Sequence, residues 1–481
     1  MIRRSLMSVA VTGALVASAA AQSPPEPAPQ PGPAAQAEAA QQNDLPEITE
    51  KEDLPVRKRS YLVPAAEILL FNLSLSVGAY AAGMDWATRD SDTWFAQLGT
   101  PWELDDDAYT TNQLAHPLQG SLSFTAARST GHEFWVSGIY GFASSMLWEA
   151  IIENETPSIN DMITTPIGGM FIGEAVHRFA RALLYRGYGK PGLARRAAAA
   201  VLDPVDAINR SWWGEAWRKT VPPSLYAHFG VGYQQPTSVL GNRGGDAQFH
   251  VEAYVEHGLL GDRAFEPRRP FDHFELYAAL NAGTDNLEGD LNVRGVLLGG
   301  GVWREDIRGM YGLFGAYDWN NNDYVRASML GVGPGATAEL ELSNRSYVGG
   351  TLAAYLVPYG AAGGYREVEG GMRDSHDGPG MAQLAELKFG HRGLYQVKAT
   401  TRAYEIAGRM VGDTANEYVI QTTLATRLQV RRYHAIGLEA THSYERASFA
   451  SLPVNVMDSD PNRTTDFRAF YAITTDEILG R

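Results

Sequence analysis

The amino-acid sequence predicts an α+β multidomain protein, a helical domain followed by an antiparallel transmembrane β-barrel of about twelve strands. The hydrophobic period is helical up to about residue 220 and becomes two from Ser224 onward. In the second part, arginines and glutamines recur on the face opposite the apolar one, which suits a wet lumen better than a buried sandwich. The 481 residues are 44% hydrophobic and 20% charged, excluding wholesale disorder and a polytopic helical membrane protein. A barrel is compatible with these averages because half of every strand is polar.

Residues 1–21 read as a cleaved signal peptide: Arg3 and Arg4 precede a short apolar core from Leu6 to Ala17 and the small residues Ala19-Ala20-Ala21. Residues 22–54 form a disordered Pro/Ala/Gln-rich linker, too poor in large apolar side chains to fold. Export of a barrel predicts the cell outer membrane as its location. The absence of cysteine excludes disulfides, thiolate metal sites, cysteine nucleophiles and a lipid-anchored amino terminus. A net charge of -15 disfavours nucleic acid, whose phosphates need a basic surface.

The helical domain is assigned to 55–220. Tyr61 to Met84 reads as one long helix with Pro64 in its first turn, and its polar Glu67 and Asn72 favour a packed helix over a lipid-facing one. Further helices are predicted from Pro117 to Arg128, from Phe134 to Glu153, where Pro157 breaks the pattern, and from near Asp161 or Pro166 to Tyr185. Ser158 and Asp161 have the spacing of a capping box. Gly169 and Gly173, four apart, clear one helix face for close approach of a neighbour. Asp203 to Lys219 is a short amphipathic segment whose Trp212, Trp213 and Trp217 suit a membrane interface, or a helix packed on the bundle.

The barrel is assigned to 221–481. Strands are expected near 224–235, 247–258, 271–283, 292–305, 308–320, 324–342 (one strand or a pair), 346–359, 382–391, 393–407, 416–431, 433–449 and 464–475, with a Gly- and Asp-rich loop at 360–381. Tyr418, Ile420, Leu424 and Leu428 share one face of their strand, Gln421, Arg427 and Arg431 the other. His442 and Ser443 are adjacent on a strand, so they point to opposite sides and cannot cooperate. Gly331 to Thr337 is glycine-rich but lacks the Lys of a phosphate loop.

The chemistry-bearing residues concentrate in the helical domain: Asn112, His116-Pro117, Gly120, Arg128, Trp148-Glu149, Glu153, Ser158, Asp161, Gly168-Gly169, Gly173-Glu174 and Arg178. This pattern of His-Pro, Trp-Glu, Ser-x-x-Asp and Gly-Gly-x-x-x-Gly-Glu resembles a bacterial domain family of unknown function found ahead of predicted outer-membrane β-barrels. The resemblance covers roughly residues 105–215 and implies a helical domain before a barrel, with no activity attached.

Glu149 and Glu153 are one helical turn apart and repel unless a cation or a shared proton intervenes. His116, Arg128, Glu149, Glu153, Ser158, Asp161, Glu174 and Arg178 therefore form either a buried ion-pair network between helices, with Arg128 or Arg178 answering the carboxylates, or a site in which His116, Glu149, Glu153 and Asp161 bind a divalent metal or perform acid-base chemistry on a lipid headgroup. No His-Glu-x-x-His spacing marks a metal site, and no cofactor is expected. The expected function is a non-enzymatic envelope component (a pore, assembly or anchoring factor) with a periplasmic or plug-like helical domain. Outer-membrane lipid is the expected partner, with another envelope protein or a small solute. The alternative is a lipid- or envelope-modifying enzyme using the polar residues of the helical domain.

Overall fold

The computed structural model of the chain describes residues 60–87, 99–104, 107–185, 191–213, 224–238, 245–263, 265, 267–284, 287–322, 325–364, 375–410, 413–449 and 462–475. The expected signal peptide, the linker and Trp217 lie outside them.

Twelve strands follow the change of period: β1 (Leu225–Ser238), β2 (Gln248–His257), β3 (Phe274–Ala282), β4 (Leu287–Trp303), β5 (Ile307–Asn321), β6 (Val325–Glu341), β7 (Ser346–Gly364), β8 (His376–His391), β9 (Tyr395–Met410), β10 (Asp413–Arg431), β11 (His434–Phe449) and β12 (Asn462–Thr474). Each pairs antiparallel with its sequence neighbours, and β1 closes on β12, with His228 opposite Thr474 and Ser238 opposite Thr464. The strand or pair expected near 324–342 is a single strand, β6. The stretch 360–381 is less of a loop than expected, because Gly360 pairs with Gly378 across the ends of β7 and β8. Glycine carries no side chain to alternate, so a glycine-rich strand end shows no period of two.

The alternation sorts the side chains. On β8, Glu386 and Lys388 are buried towards the lumen while Met381 and Leu387 are exposed outside. On β10, Tyr418, Ile420, Leu424 and Leu428 are outside and Gln421 and Arg427 inside. This apolar exterior around a polar interior is the pattern of a barrel in lipid.

Among the described residues six helices of ten residues or more precede the barrel: α1 (Leu62–Ala81), α2 (His116–Ser129), α3 (Phe134–Leu147), α4 (Gly169–Tyr185), α5 (Leu193–Leu202) and α6 (Pro204–Trp213). Single wide π turns lead into α2 (Thr111–Ala115), prolong α3 (Trp148–Ile152) and lead into α4 (Thr164–Gly168). The predicted glycine contact forms: a Cβ on Gly120 of α2 would lie 1.8 Å from the Thr165 carbonyl oxygen, and one on Gly169 would lie 2.4 Å from the Gly120 carbonyl carbon. Asp203 caps α6, its Oδ1 accepting from the Asp206 amide at 2.9 Å.

The helices meet the outer wall of the barrel. On β5, Asp318 faces the lumen, where its Oδ2 accepts from the Tyr404 hydroxyl across the barrel at 2.9 Å. Its neighbours Tyr317 and Trp319 therefore face outward. Tyr109 stacks on Trp319, the Tyr317 hydroxyl donates to the Gln113 carbonyl, and Phe171 of α4 sits over Gly315, where a side chain would collide with its ring. Phe124, Phe134 and Phe171 thus share one core with Leu276, Val293 and Tyr317.

The β2–β3 connection (258–273) clasps the bundle. Phe271, fully buried, stacks between Phe134 and Phe171 at 5.7 and 5.6 Å. Its φ of 61° is strained for a bulky residue, by roughly 1–3 kcal/mol, and persists only because the packing around it demands it.

One expectation is overturned. Helix α1 is not a packed helix: only Pro64, Ile68 and Asn72 are buried. Its polar residues turn inward, Asn72 Nδ2 donating to Ser144 Oγ at 3.0 Å and Glu67 accepting from Asn209 Nδ2 at 3.3 Å, which leaves the leucines outside. The polar interruptions marked the inner stripe and not the depth of burial.

Candidate functional site

The eight candidate residues fall into two clusters at opposite ends of α2. His116 begins the helix and lies among Asp161, Glu149 and Glu153, with Ser158 hydrogen-bonded to Glu149 and Asp161; Arg128 lies in its last turn and meets Glu174, which Arg178 also binds.

The first cluster is assembled by two of the π turns. One ends directly before His116, and the next carries Glu149. His116 Nε2 lies 3.6 Å from Asp161 Oδ2 and 4.0 Å from Asp107 Oδ2. Half of the capping box forms, the Asp161 amide donating to Ser158 Oγ at 3.1 Å. The other half is taken over by Glu149, whose Oε2 accepts from the Ser158 amide at 2.8 Å. Burial works against charge on the His116 ring, but Asp161, Asp107, Glu153 and Glu149 outweigh it and raise its pKa to about 10. Burial, with Glu149 next, raises the Glu153 carboxyl to about 8. At neutral pH the centre is thus an imidazolium among carboxylates, with Glu153 largely protonated. The cation answering this group is His116, not Arg128 or Arg178. Among the described residues no group of three His, Asp or Glu side chains could hold a metal ion.

In the second cluster Glu174 is clamped by both arginines. Arg128 donates to it through Nε at 2.6 Å and Nη2 at 3.0 Å, and Arg178 through Nε at 2.7 Å. Arg178 continues to Asp272 Oδ1 at 2.8 Å and the Pro270 carbonyl at 2.9 Å, tying α4 to the β2–β3 connection. Beside it, His177 meets Asp203 at 2.7 Å and Arg210 donates to Asp206 at 2.7 Å. These last pairs were missed, although Asp206 and Arg210 stand at the four-residue spacing that marks a helical ion pair.

Trp212 is exposed on α6, while Asp206, Asn209 and Arg210 on the same helix are buried against the bundle. His442 is outside and Ser443 inside the barrel, as their adjacency requires.

The lumen holds the larger polar assembly, of which sequence reasoning placed only one strand's residues, Gln421, Thr423, Arg427, Gln429 and Arg431, on a polar lumenal face. Lys388 of β8 reaches Glu256 of β2 at 2.7 Å, and Arg294 of β4 reaches Glu386 of β8 at 2.6 Å and Glu275 at 2.7 Å. Arg468 bridges Asp290 and Glu439, each at 3.0 Å, and Lys398 lies 3.4 Å from Glu275. The contacts of Lys388 with Glu256, Arg294 with Glu386, Arg468 with Asp290 and Lys398 with Glu275 cross the barrel, those of Arg294 with Glu275 and Arg468 with Glu439 join neighbouring strands, and every group in them comes from a strand. They leave a cavity of about 80 Å3, lined among others by Glu275, Arg294, Asp318, Arg402 and Arg468. Such a space has room for several waters among the described residues. The legible signal was period-two charge at inward positions; which strands pair across the lumen is set by closure and register.

Residues 101–205 match a family described as "Domain of unknown function (DUF3943)". No curated protein sequence matches the chain. Among solved structures, the chain is similar to a NanC porin in a rhombohedral crystal form (8% identity, 51% of this chain and 98% of that one, TM-score 0.27). It is also similar to the CymD monoaromatic hydrocarbon channel (10%, 53% and 89%, TM-score 0.22) and to an anion-selective porin from Comamonas acidovorans (9%, 52% and 98%, TM-score 0.20).

Proposed function

We propose that this chain is a non-enzymatic outer-membrane β-barrel of the channel type, held closed by its own lumenal charges and opened to a small polar solute only when those pairs separate. The observation that carries this reading is the set of wall-to-wall ion pairs, Lys388 with Glu256 and Arg294 with Glu386. Charges paired so deeply persist only when each is answered, and removing one partner destabilises the closed arrangement by about 3–5 kcal/mol. The helical domain is not the plug in this reading, because its contacts lie on the outer wall. Single-channel recording in planar bilayers tests it. The intact chain should rest closed, and the double substitution Arg294→Gln, Lys388→Gln should raise the open probability at least tenfold. A wild-type chain that conducts freely at rest, or a folded double variant that stays closed, contradicts it.

A lipid- or envelope-modifying enzyme would have to use the His116 cluster. The Glu153 carboxyl at about 8 is the feature that favours it, since proton transfer works best near ambient pH. Against it, His116 is protonated and engaged at neutral pH, so it is not poised as a base. Glu149→Gln and Asp161→Asn separate the two: loss of stability marks a structural centre, loss of activity with the fold retained a reactive one.

A further inference from the structure

We infer that the helical region is a membrane-embedded companion of the barrel, with α1 and the outer face of α3 in contact with lipid acyl chains. The inference rests on the outer-membrane reading above.

Helices α1 and α3 are built inside out. A helix in a water-soluble bundle buries its large apolar side chains and exposes polar ones. Here the opposite holds. On α1, Leu62, Leu70 and Val77 are 81%, 63% and 66% exposed, while Asn72 is fully buried. On α3, Trp135, Ile139, Phe142 and Met146 form one exposed stripe, while Ser137, Gly138, Gly141 and Ser144 face inward. Ser144 is the polar joint of three helices, bonded to Asn72 of α1 and, at 2.8 Å, to Ser123 of α2. Small residues and buried hydroxyls inside, with leucines and aromatics outside, is how helices pack in lipid.

Charge and length agree. Helix α3 has no charged residue, and α1 has only Glu67, turned inward to Asn209. The 20 residues of α1 rise about 30 Å, the thickness of a hydrocarbon layer. The two ionic clusters sit at opposite ends of α2, and residues 117–127 between them carry no charge.

Position on the barrel supplies the occupant. The outward residues covered by the bundle run from strand ends, such as Phe274 on β3, into the middle of the wall: on β4, buried Val293 stands between exposed Leu287 and Leu298, and on β5 buried Tyr317 follows exposed Tyr311. The bundle therefore interrupts the apolar belt of the barrel at the height of the belt, and its own outer face continues that belt. The same lipid that meets Leu352 or Leu424 on the bare strands meets Leu70 and Ile139.

The cysteine-free chain allows single thiols to be spin-labelled. Leu70→Cys and Ile139→Cys report on the bundle, Leu352→Cys on the bare belt and Arg304→Cys on the β4–β5 turn, in full-length protein reconstituted in phosphatidylethanolamine/phosphatidylglycerol vesicles. Heat-shifted gel migration verifies that each variant is a folded barrel, with Leu73→Cys and Phe142→Cys as substitutes on the same faces. The expected result is that positions 70 and 139 collide several-fold more with oxygen than with a water-soluble nickel chelate, as position 352 does, with the reverse at 304. Nickel access at 70 and 139 overturns the inference, and so does exclusion of both reagents, which means a second copy or another protein covers the face. Nickel access at 352 overturns the membrane-barrel reading itself.

Discussion

His116 shows how a single residue sets the character of its surroundings. Its ring answers Asp161, Asp107, Glu149 and Glu153 together, so His116→Gln leaves a group of partly buried carboxylates without a cation and should cost about 3 kcal/mol, read as a lower urea midpoint of the folded protein in vesicles. The sign of the pH dependence follows from the raised pKa. A histidine at about 10 in the folded state and near 6.5 unfolded contributes stability that is complete below about 6.5 and lost as pH rises through about 10. Glu153, raised to about 8, acts in the same direction, losing its contribution between about 4.5 and 8. Urea midpoints of the wild type should therefore fall steadily from pH 6 to pH 10, and the His116→Gln variant should fall less over that range. A midpoint that rises with pH contradicts this account of the cluster. The sequence placed His116 and the carboxylates in one group but also drew in Arg128 and Arg178. Both arginines belong to Glu174, at the other end of α2. Spacing along one helix tells which residues share a face, and says nothing of which end of a neighbouring helix they meet.

Among the elements, close backbone approach decides what is tolerated. Gly120 and Gly78 are both helical glycines, yet a side chain on Gly120 would overlap the Thr165 carbonyl and one on Gly78 meets nothing within 4 Å. Gly120→Ala should separate α2 from the turn before α4 and destabilise by roughly 2–3 kcal/mol through overpacking. Gly78→Ala should stabilise by about 1 kcal/mol through helix propensity alone. Equal effects of the two on the urea midpoint would contradict the packing described. Phe271→Ala removes the peg between Phe134 and Phe171 while retaining the strained backbone, and should cost about 3–5 kcal/mol in the same assay. The Gly-x-x-x-Gly spacing announced the helix contact correctly, as the alternation announced the twelve strands. Helix α1 was misread because apolar periodicity identifies a stripe without identifying what faces it: protein on one side, open surface on the other. The π turns were not legible: Pro117 follows one and Pro166 lies in another, but a proline does not distinguish a π turn from an ordinary kink, and the turn at Trp148–Ile152 contains none.

On the scale of the whole molecule, closure turns twelve similar strands into one electrostatic unit. Lys388 finds Glu256 and Arg294 finds Glu386 only because β2, β4 and β8 face one another across the lumen. Those partners are 132 and 92 residues apart in the chain, so no local pattern could pair them. The inward charge itself was legible on β10, where Arg427 and Gln421 oppose Ile420 and Leu424. The helices, joined to the same fold through Phe271 and Arg178, stand outside this unit. The account therefore separates two parts that a plug would unite: a lumen closed from within, and a helical bundle on the wall. The most direct measurement is single-channel conductance of the intact chain, of a chain lacking residues 46–220, and of the Arg294→Gln, Lys388→Gln variant, each verified as a folded barrel by heat-shifted migration. The account predicts that removing the helices leaves the barrel closed and that only the lumenal substitutions open it. A truncated barrel that conducts while the intact chain does not would show that the helices close the lumen, and would contradict it.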